Sequence, residues 1–254
     1  MARSFYMAFA LVAYAIFLAT FLYLIAFVGN LPWVPLTVDR GPAAVSLGAA
    51  LIINLALIAM FGLQHSVMAR QGFKRAWTQY VPKAAERSVY VLAASLTLIL
   101  LFLAWRPING IVWQVTNPLL AGLLWGLFAT GWLIVLTSTF LINHFELFGL
   151  QQAWFNLRDR AAAAPQLRQP FFYRFVRHPL YSGFFIAFWA TPVMTLGHLL
   201  LAAGMSVYML IAIRYEERDL VDLFGQDYEQ YQANVGMLAP GIGRRQTPPA
   251  ATTP

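Results

Sequence analysis

The chain has 254 residues, of which 60% are hydrophobic and only 11% are charged. A soluble domain carries roughly 25% charged residues, so a soluble globule is excluded and the apolar surplus must face lipid. The absence of cysteine excludes disulfides, thiolate metal sites and a cysteine nucleophile. The net charge of +7 lies in short loops between apolar runs, where it serves orientation and contact with anionic lipid headgroups, not nucleic acid.

Phe5 to Val28 is the first apolar run. Arg3 before it imitates a signal peptide, but the run is too long for one and lacks a small-residue cleavage site, so it is a span. Gly29 to Pro42 is a loop holding Pro32, Trp33 and Pro35. Ala43 to Met68 forms a second span, interrupted by Asn54 and closing on Gln64-His65-Ser66. A basic loop, Ala69 to Arg87, leads to the third span, Ser88 to Trp105, which is near the lower length limit for crossing roughly 30 Å of hydrocarbon. Arg106 to Pro118 is a small loop, and Leu119 to Ile142 is the fourth span. A long connector with Arg158, Arg160, Arg168, Arg174 and Arg177 follows; Phe145, Phe148, Trp154 and Phe155 place parts of it in the membrane interface. Leu180 to Ile213 is too long for one ordinary span and reads as two short helices joined by a tight turn between Thr191-Pro192 and Gly197-His198. A juxtamembrane helix over Ile213 to Phe224 completes the reading, with Gly225 at its end.

The expected fold is therefore an all-α, polytopic membrane helical bundle: four full spans plus a C-terminal helical hairpin, five to six transmembrane helices, with interfacial helices on the cytoplasmic side. Residues 1–241 form a single domain, and 242–254, rich in Pro, Thr and Ala, form a disordered tail. Six crossings put both termini on one side together with all but Arg40 and Arg106 of the 17 Lys and Arg residues. The positive-inside rule makes that side cytoplasmic.

This topology gathers chemistry at one leaflet. The second span ends there at Gln64-His65-Ser66 and the fourth at Asn143-His144-Phe145-Glu146; the fifth starts there at Arg177-His178, and the sixth ends at Arg214-Tyr215-Glu216-Glu217. Ionisable groups at span ends tend to face one another or a polar cavity, so a polar pocket is expected. Pro179 suits the first turn of a helix, whose free amides, beside Arg177 and His178, would form an anion-binding end. His198 and Asn54 read as local and interhelical hydrogen-bonding residues.

The pattern Arg177-His178-Pro179-x-Tyr181-x-Gly183, followed by Glu216-Glu217-x-x-Leu220, Tyr228 and Tyr231, resembles the integral-membrane methyltransferases, among them the isoprenylcysteine carboxyl and phospholipid methyltransferases. Gln64-His65-Ser66-Val67-Met68-Ala69-Arg70 resembles segments of the NnrU group. Together with Asn143-His144-Phe145-Glu146-Leu147-Phe148-Gly149-Leu150, it extends the resemblance to the bacterial methanethiol S-methyltransferases over nearly the whole chain. The resemblance implies S-adenosylmethionine as cofactor, methanethiol as acceptor, and dimethyl sulfide and S-adenosylhomocysteine as products. It also implies an inner-membrane enzyme with a cytoplasmic site, whose partners are a small volatile thiol and membrane lipid. By the same resemblance, Arg177, His178 and the amides near Pro179 hold the cofactor carboxylate, and Glu216 or Glu217 answers its positive groups. Tyr181 flanks the adenosine, Gly183 permits close approach and Tyr231 closes the pocket.

An alkyl thiol needs a base near neutral pH, because the thiolate is the better nucleophile. His144 and His65 are the candidates, with Glu146 or Gln64 orienting a ring. Asn143, Phe145 and Phe148, with Gln64, are candidate walls of the acceptor site. Two further readings stand beside this one: the same chemistry on an isoprenylcysteine carboxylate or lipid amine, and a haem protein with His65 and His144 as axial ligands. A transporter would carry more polar groups at mid-membrane.

Overall fold

The computed structural model describes residues 2–161 and 166–245. In chain order its elements are α1 (Ala2–Val28), α2 (Leu47–Ala69), α3 (Gln71–Trp77), α4 (Lys83–Ala104), β1 (Ile111–Gln114), α5 (Pro118–Ile142), α6 (His144–Leu147) and α7 (Leu150–Leu157). A 3-10 turn at Phe171–Arg174 precedes α8 (Pro179–Trp189), β2 (Val193–Thr195), α9 (Leu196–Phe224) and α10 (Gln226–Asn234). Five helices, α1, α2, α4, α5 and α9, are long and apolar enough to cross a membrane. The protein is a multi-pass, all-α membrane protein.

Local chemistry sets several helix starts. The Ser46 side chain accepts from the Ala49 amide at the start of α2, and Asn117 accepts from Leu119 and Leu120 with Pro118 as the first helical residue of α5. Thr195 caps α9 by accepting from the His198 amide. Each cap satisfies backbone donors that no helical carbonyl can reach.

The C-terminal hairpin differs from the two short helices expected over Leu180 to Ile213. Its first arm is short, 11 residues, and its second is a single helix of 29 residues that absorbs the expected juxtamembrane segment without a break. No Gly or Pro interrupts Ile213 to Phe224, so helix propagation continues beyond the lipid. The turn pairs β2 antiparallel with β1, a ribbon absent from the sequence reading, which placed a plain loop over Arg106 to Pro118. This pairing brings the hairpin tip to the connector after α4, at the end opposite His178.

Close helix contacts depend on small residues, as membrane packing requires. A Cβ on Gly183 would lie 2.6 Å from the Gly131 carbonyl oxygen, and one on Gly131 would lie 2.7 Å from that of Gly183. α5 and α8 therefore pack backbone to backbone. Gly183, expected to admit the cofactor, is occupied by α5 instead. Asn54 receives the Arg106 amide at 2.9 Å and donates to the Arg106 carbonyl at 2.7 Å, joining α2 to the end of α4. His198 bonds the Phe188 carbonyl at 2.9 Å across the hairpin. Both act as hydrogen-bonding residues, as read from the sequence. Residues 242–245 fall within the stretch expected to be disordered, yet Gly243 and Arg245 contact the motif residues. The rest of that stretch, 246–254, lies outside the described residues.

Candidate active site

Arg177, His178 and Glu217 form a buried knot, with Arg177 3% and Glu217 2% exposed. Arg177 Nε donates to Glu217 Oε1 at 2.8 Å, and His178 Nε2 meets the same oxygen at 3.1 Å. Three more guanidinium donors go to the backbone carbonyls of Gln232 at 3.0 Å, Val235, and Gly243 at 3.1 Å. The Arg177 and His178 amides donate to Gly236 and Met237, and the Ser182 hydroxyl donates to Leu238 at 2.7 Å. Residues 232–243 thus cover the start of α8. This corrects the sequence reading: the Arg177 fork is engaged by the chain's own carbonyls and Glu217, and residues 236–238 bond the Arg177 and His178 amides and the Ser182 hydroxyl around the start of α8. Arg177 is a clamp that fixes the C-terminal segment over the motif. Pro179 is buried at the first position of α8, where its missing amide costs nothing.

Tyr231 also belongs to this cover. Its hydroxyl donates to the Tyr173 carbonyl, and its ring packs at 5.7 Å from Tyr228. Burial pushes the Tyr231 phenol up to about 12 despite the opposing charge of Arg177. Burial, with the nearby charge of Glu216, also raises Tyr173.

Glu216 faces a different way from Glu217. It is half-buried and receives the Tyr181 hydroxyl at 3.0 Å. Its carboxylate lies within electrostatic reach of Tyr90, Tyr173, Tyr181, Tyr208 and Tyr228. Tyr208 seats its ring on Gly62, where a Cβ would lie 2.8 Å from Cδ2, and its centroid is 6.4 Å from that of His65. The Tyr90 hydroxyl lies 2.8 Å from His65 Nε2, while His65 Nδ1 is buried without a hydrogen-bond partner. An orphaned buried polar atom costs about 1–3 kcal/mol. This one belongs to a ring whose neighbours are Phe61, Tyr90 and Tyr208. Arg70, at the end of α2, pairs with Asp219 at 3.1 Å and lies 5.3 Å from the Tyr215 ring centroid. It holds the helix bearing His65 against the helix bearing Glu216.

His144 belongs to another cluster. Its Nε2 lies 2.8 Å from the Tyr14 hydroxyl and its Nδ1 2.8 Å from Thr139 Oγ1. Thr139 gives its single hydroxyl proton to the Leu136 carbonyl at 2.7 Å, so it can only accept from the ring. Nδ1 therefore carries the hydrogen, and Nε2 accepts from Tyr14. Phe140 stacks on the ring at 4.0 Å and Phe148 meets it at 4.8 Å. Burial lowers the His144 pKa.

The expected orienting groups are engaged elsewhere. Glu146 accepts from Asn143 Nδ2 at 2.9 Å, and Asn143 in turn caps α6 by accepting from the Glu146 amide. Gln64 donates to Met68 Sδ at 3.1 Å. Tyrosines, not Glu146 or Gln64, orient the two imidazoles. Phe148 stacks on Phe17 at 3.9 Å, and Phe145 is exposed; both accompany His144, not Glu216. An apolar recess of about 280 Å³ lies beside the motif, lined by Ile134, Phe172, Phe175, Val176, Pro179, Ser182 and Pro240. Tyr90 and Tyr208 escaped the sequence reading because each is one aromatic residue in an apolar run. Their signal was a phenol in the half of a span nearest His65 and the Arg177-His178 motif.

A half-buried carboxylate set among phenols at one end of a membrane helical bundle suits a positively charged small molecule. Residues 119–227 match the phospholipid methyltransferase family, and the class is that of integral-membrane methyltransferases. The chain is 53% identical to methanethiol S-methyltransferase 1 of Bradyrhizobium diazoefficiens, across 91% of this chain and 81% of that protein. It is 50% identical to methanethiol S-methyltransferase of Mycobacterium tuberculosis, across 90% and 93%, and 48% identical to methanethiol S-methyltransferase 2 of B. diazoefficiens, across 97% and 94%. The chain belongs to the methanethiol S-methyltransferase family. No solved structure matches it.

Proposed function

We propose that the protein methylates methanethiol to dimethyl sulfide with S-adenosylmethionine as methyl donor, releasing S-adenosylhomocysteine, at the cytoplasmic face of a bacterial inner membrane. The observation that carries this reading is the Glu216 carboxylate, half-buried, hydrogen-bonded by Tyr181 and within electrostatic reach of further phenols. The donor set fits a sulfonium cofactor: aromatic rings and a carboxylate attract a compact cation, and His65 Nδ1 is a ring nitrogen without a partner among the described residues.

When bound, S-adenosylmethionine supplies an electrophilic methyl group on a positively charged sulfur. Glu216 and Tyr181 bind and orient that positive end. His65 accepts the thiol proton at Nδ1, with Nε2–H directed to the Tyr90 oxygen, which fixes the ring. The thiolate is the better nucleophile and an alkyl thiol is mostly protonated at neutral pH, so a nitrogen that takes up its proton assists the transfer. His144, with both nitrogens satisfied, holds α1, α5 and α6 together. The acceptor's proton leaves with His65, so the sulfur can form its second carbon bond as the donor sulfur regains an electron pair. Apart from Arg40 and Arg106, the Lys and Arg side chains lie near the N-terminus, from the end of α2 to the first turns of α4, between α5 and α8, and from the C-terminal part of α9 onward, which supports the cytoplasmic placement of this end.

The test is headspace detection of dimethyl sulfide from membranes containing the protein, supplied with methanethiol and S-adenosylmethionine. Wild type is expected to form product, and Glu216→Gln to lose about 10- to 100-fold, the range for one hydrogen bond to a charged group. Methylation of a prenylated cysteine or a lipid amine, with none of methanethiol, would replace the acceptor in this reading.

A further inference from the structure

We infer that Arg245 binds the α-carboxylate of the methyl donor, with the donor's amino-acid end inserting between Arg245 and Glu217. The inference rests on the reading that S-adenosylmethionine is the donor. A zwitterionic amino-acid end needs one anion and one cation at the mouth of its site. Arg177 is a poor candidate for that cation, because it is buried and four of its five donors are taken by Glu217 and the carbonyls of Gln232, Val235 and Gly243.

Glu217 divides its two oxygens. Oε1 is held by Arg177 at 2.8 Å and His178 at 3.1 Å, whereas Oε2 is approached by Arg245 at 3.4 Å. A tight charge-assisted bond is about 2.7–2.9 Å, so the outer contact is loose. The Arg245 side chain is 55% exposed, against 2% for that of Glu217. Its backbone is nevertheless fixed, since the Arg245 amide donates to the Gln232 carbonyl at 3.0 Å. Gln232 is also one of the carbonyls that Arg177 grips. The guanidinium is therefore a movable head on an anchored base, paired with the outward oxygen of a buried carboxylate.

A ligand with an ammonium and a carboxylate on one carbon replaces this pair without leaving either charge alone. Its ammonium takes Glu217 Oε2, and its carboxylate takes the Arg245 fork, which is shaped for bidentate binding of that group. Removing one partner of a buried charge pair is costly, and the exchange avoids that cost.

The experiment is calorimetric titration of the purified full chain with S-adenosylmethionine and, separately, with its decarboxylated analogue, which keeps the sulfonium and the ammonium. Arg245→Gln should weaken binding of S-adenosylmethionine about 10- to 100-fold and leave the decarboxylated analogue unchanged. Arg245→Lys should retain part of the preference for the carboxylate form. The readout is a ratio of affinities in one preparation, so a general loss of folded protein cancels. Equal weakening of both ligands, or no change in either, overturns the assignment of Arg245 and leaves the donor reading intact. Wild-type protein that binds neither ligand overturns the donor reading and this inference with it.

Discussion

His65 and His144 close two spans at the same end of the bundle, and in both a tyrosine hydroxyl lies 2.8 Å from Nε2. The second nitrogen separates them. At His144 it donates to Thr139, which completes the ring's hydrogen bonding; at His65 it is buried without a partner. Their surroundings diverge too: phenylalanines enclose His144, whereas Tyr90 and Tyr208 lead from His65 toward Glu216. Arg87 stands between the regions, 4.9 Å from the Tyr90 ring centroid and donating to the Leu147 carbonyl at 2.7 Å. A satisfied imidazole fastens helices together. An unsatisfied one keeps a nitrogen for a bound molecule.

The sharpest way to break this contrast is to replace each histidine with glutamine and measure kcat and donor affinity. His65→Gln should lower kcat by about 10²- to 10⁴-fold, the range for a general base, with donor binding retained. His144→Gln should keep kcat per folded molecule and lower the unfolding temperature. If His144→Gln instead abolishes turnover in a protein as stable as wild type, the two roles are exchanged.

A smaller effect is expected from the tyrosines. Tyr90→Phe removes the hydroxyl that orients His65 and should reduce kcat by about 10-fold, one ordinary hydrogen bond's worth. Tyr14→Phe removes the corresponding contact at His144 and should cost about 1 kcal/mol of stability with kcat unchanged, read from thermal unfolding alongside the headspace assay. Equal kcat losses in the two variants would erase the distinction between the regions.

Much of this architecture was legible in the sequence because lipid imposes a coarse rule. Long apolar runs must be helices, and the arginines cluster at one set of their ends. The pairing of Arg177-His178 with Glu216-Glu217 was legible for the same reason, since both lie at the same end of one hairpin. The division of labour within that pair was not. Which oxygen of Glu217 faces inward depends on carbonyls at Gln232, Val235 and Gly243, and a carbonyl has no signature in a sequence. Gly183 misled for a related reason: a glycine signals close approach without naming what approaches, and here it is Gly131. The ribbon of β1 with β2 was hidden because each strand is only a few residues long and pairs across the chain.

The finest test uses pH. Burial lowers the folded-state pKa of His144 below its ordinary 6.5. Protonation there would charge an enclosed ring and put a hydrogen on Nε2 against the Tyr14 hydroxyl. The unfolded chain therefore binds the proton more readily than the folded one. The stability that neutral His144 contributes is whole above about pH 6.5 and is lost as pH falls through that value toward the folded pKa, with a slope of at most about 1.4 kcal/mol per pH unit. Glutamine at 144 cannot titrate, so the unfolding temperature of His144→Gln should fall less than that of wild type between about pH 7.5 and about pH 5.5. Other groups that titrate in this range contribute to both proteins and cancel in the comparison. Parallel curves for the two would mean that His144 is charged as readily in the fold as out of it, and the picture of a closed, satisfied imidazole would have to be given up.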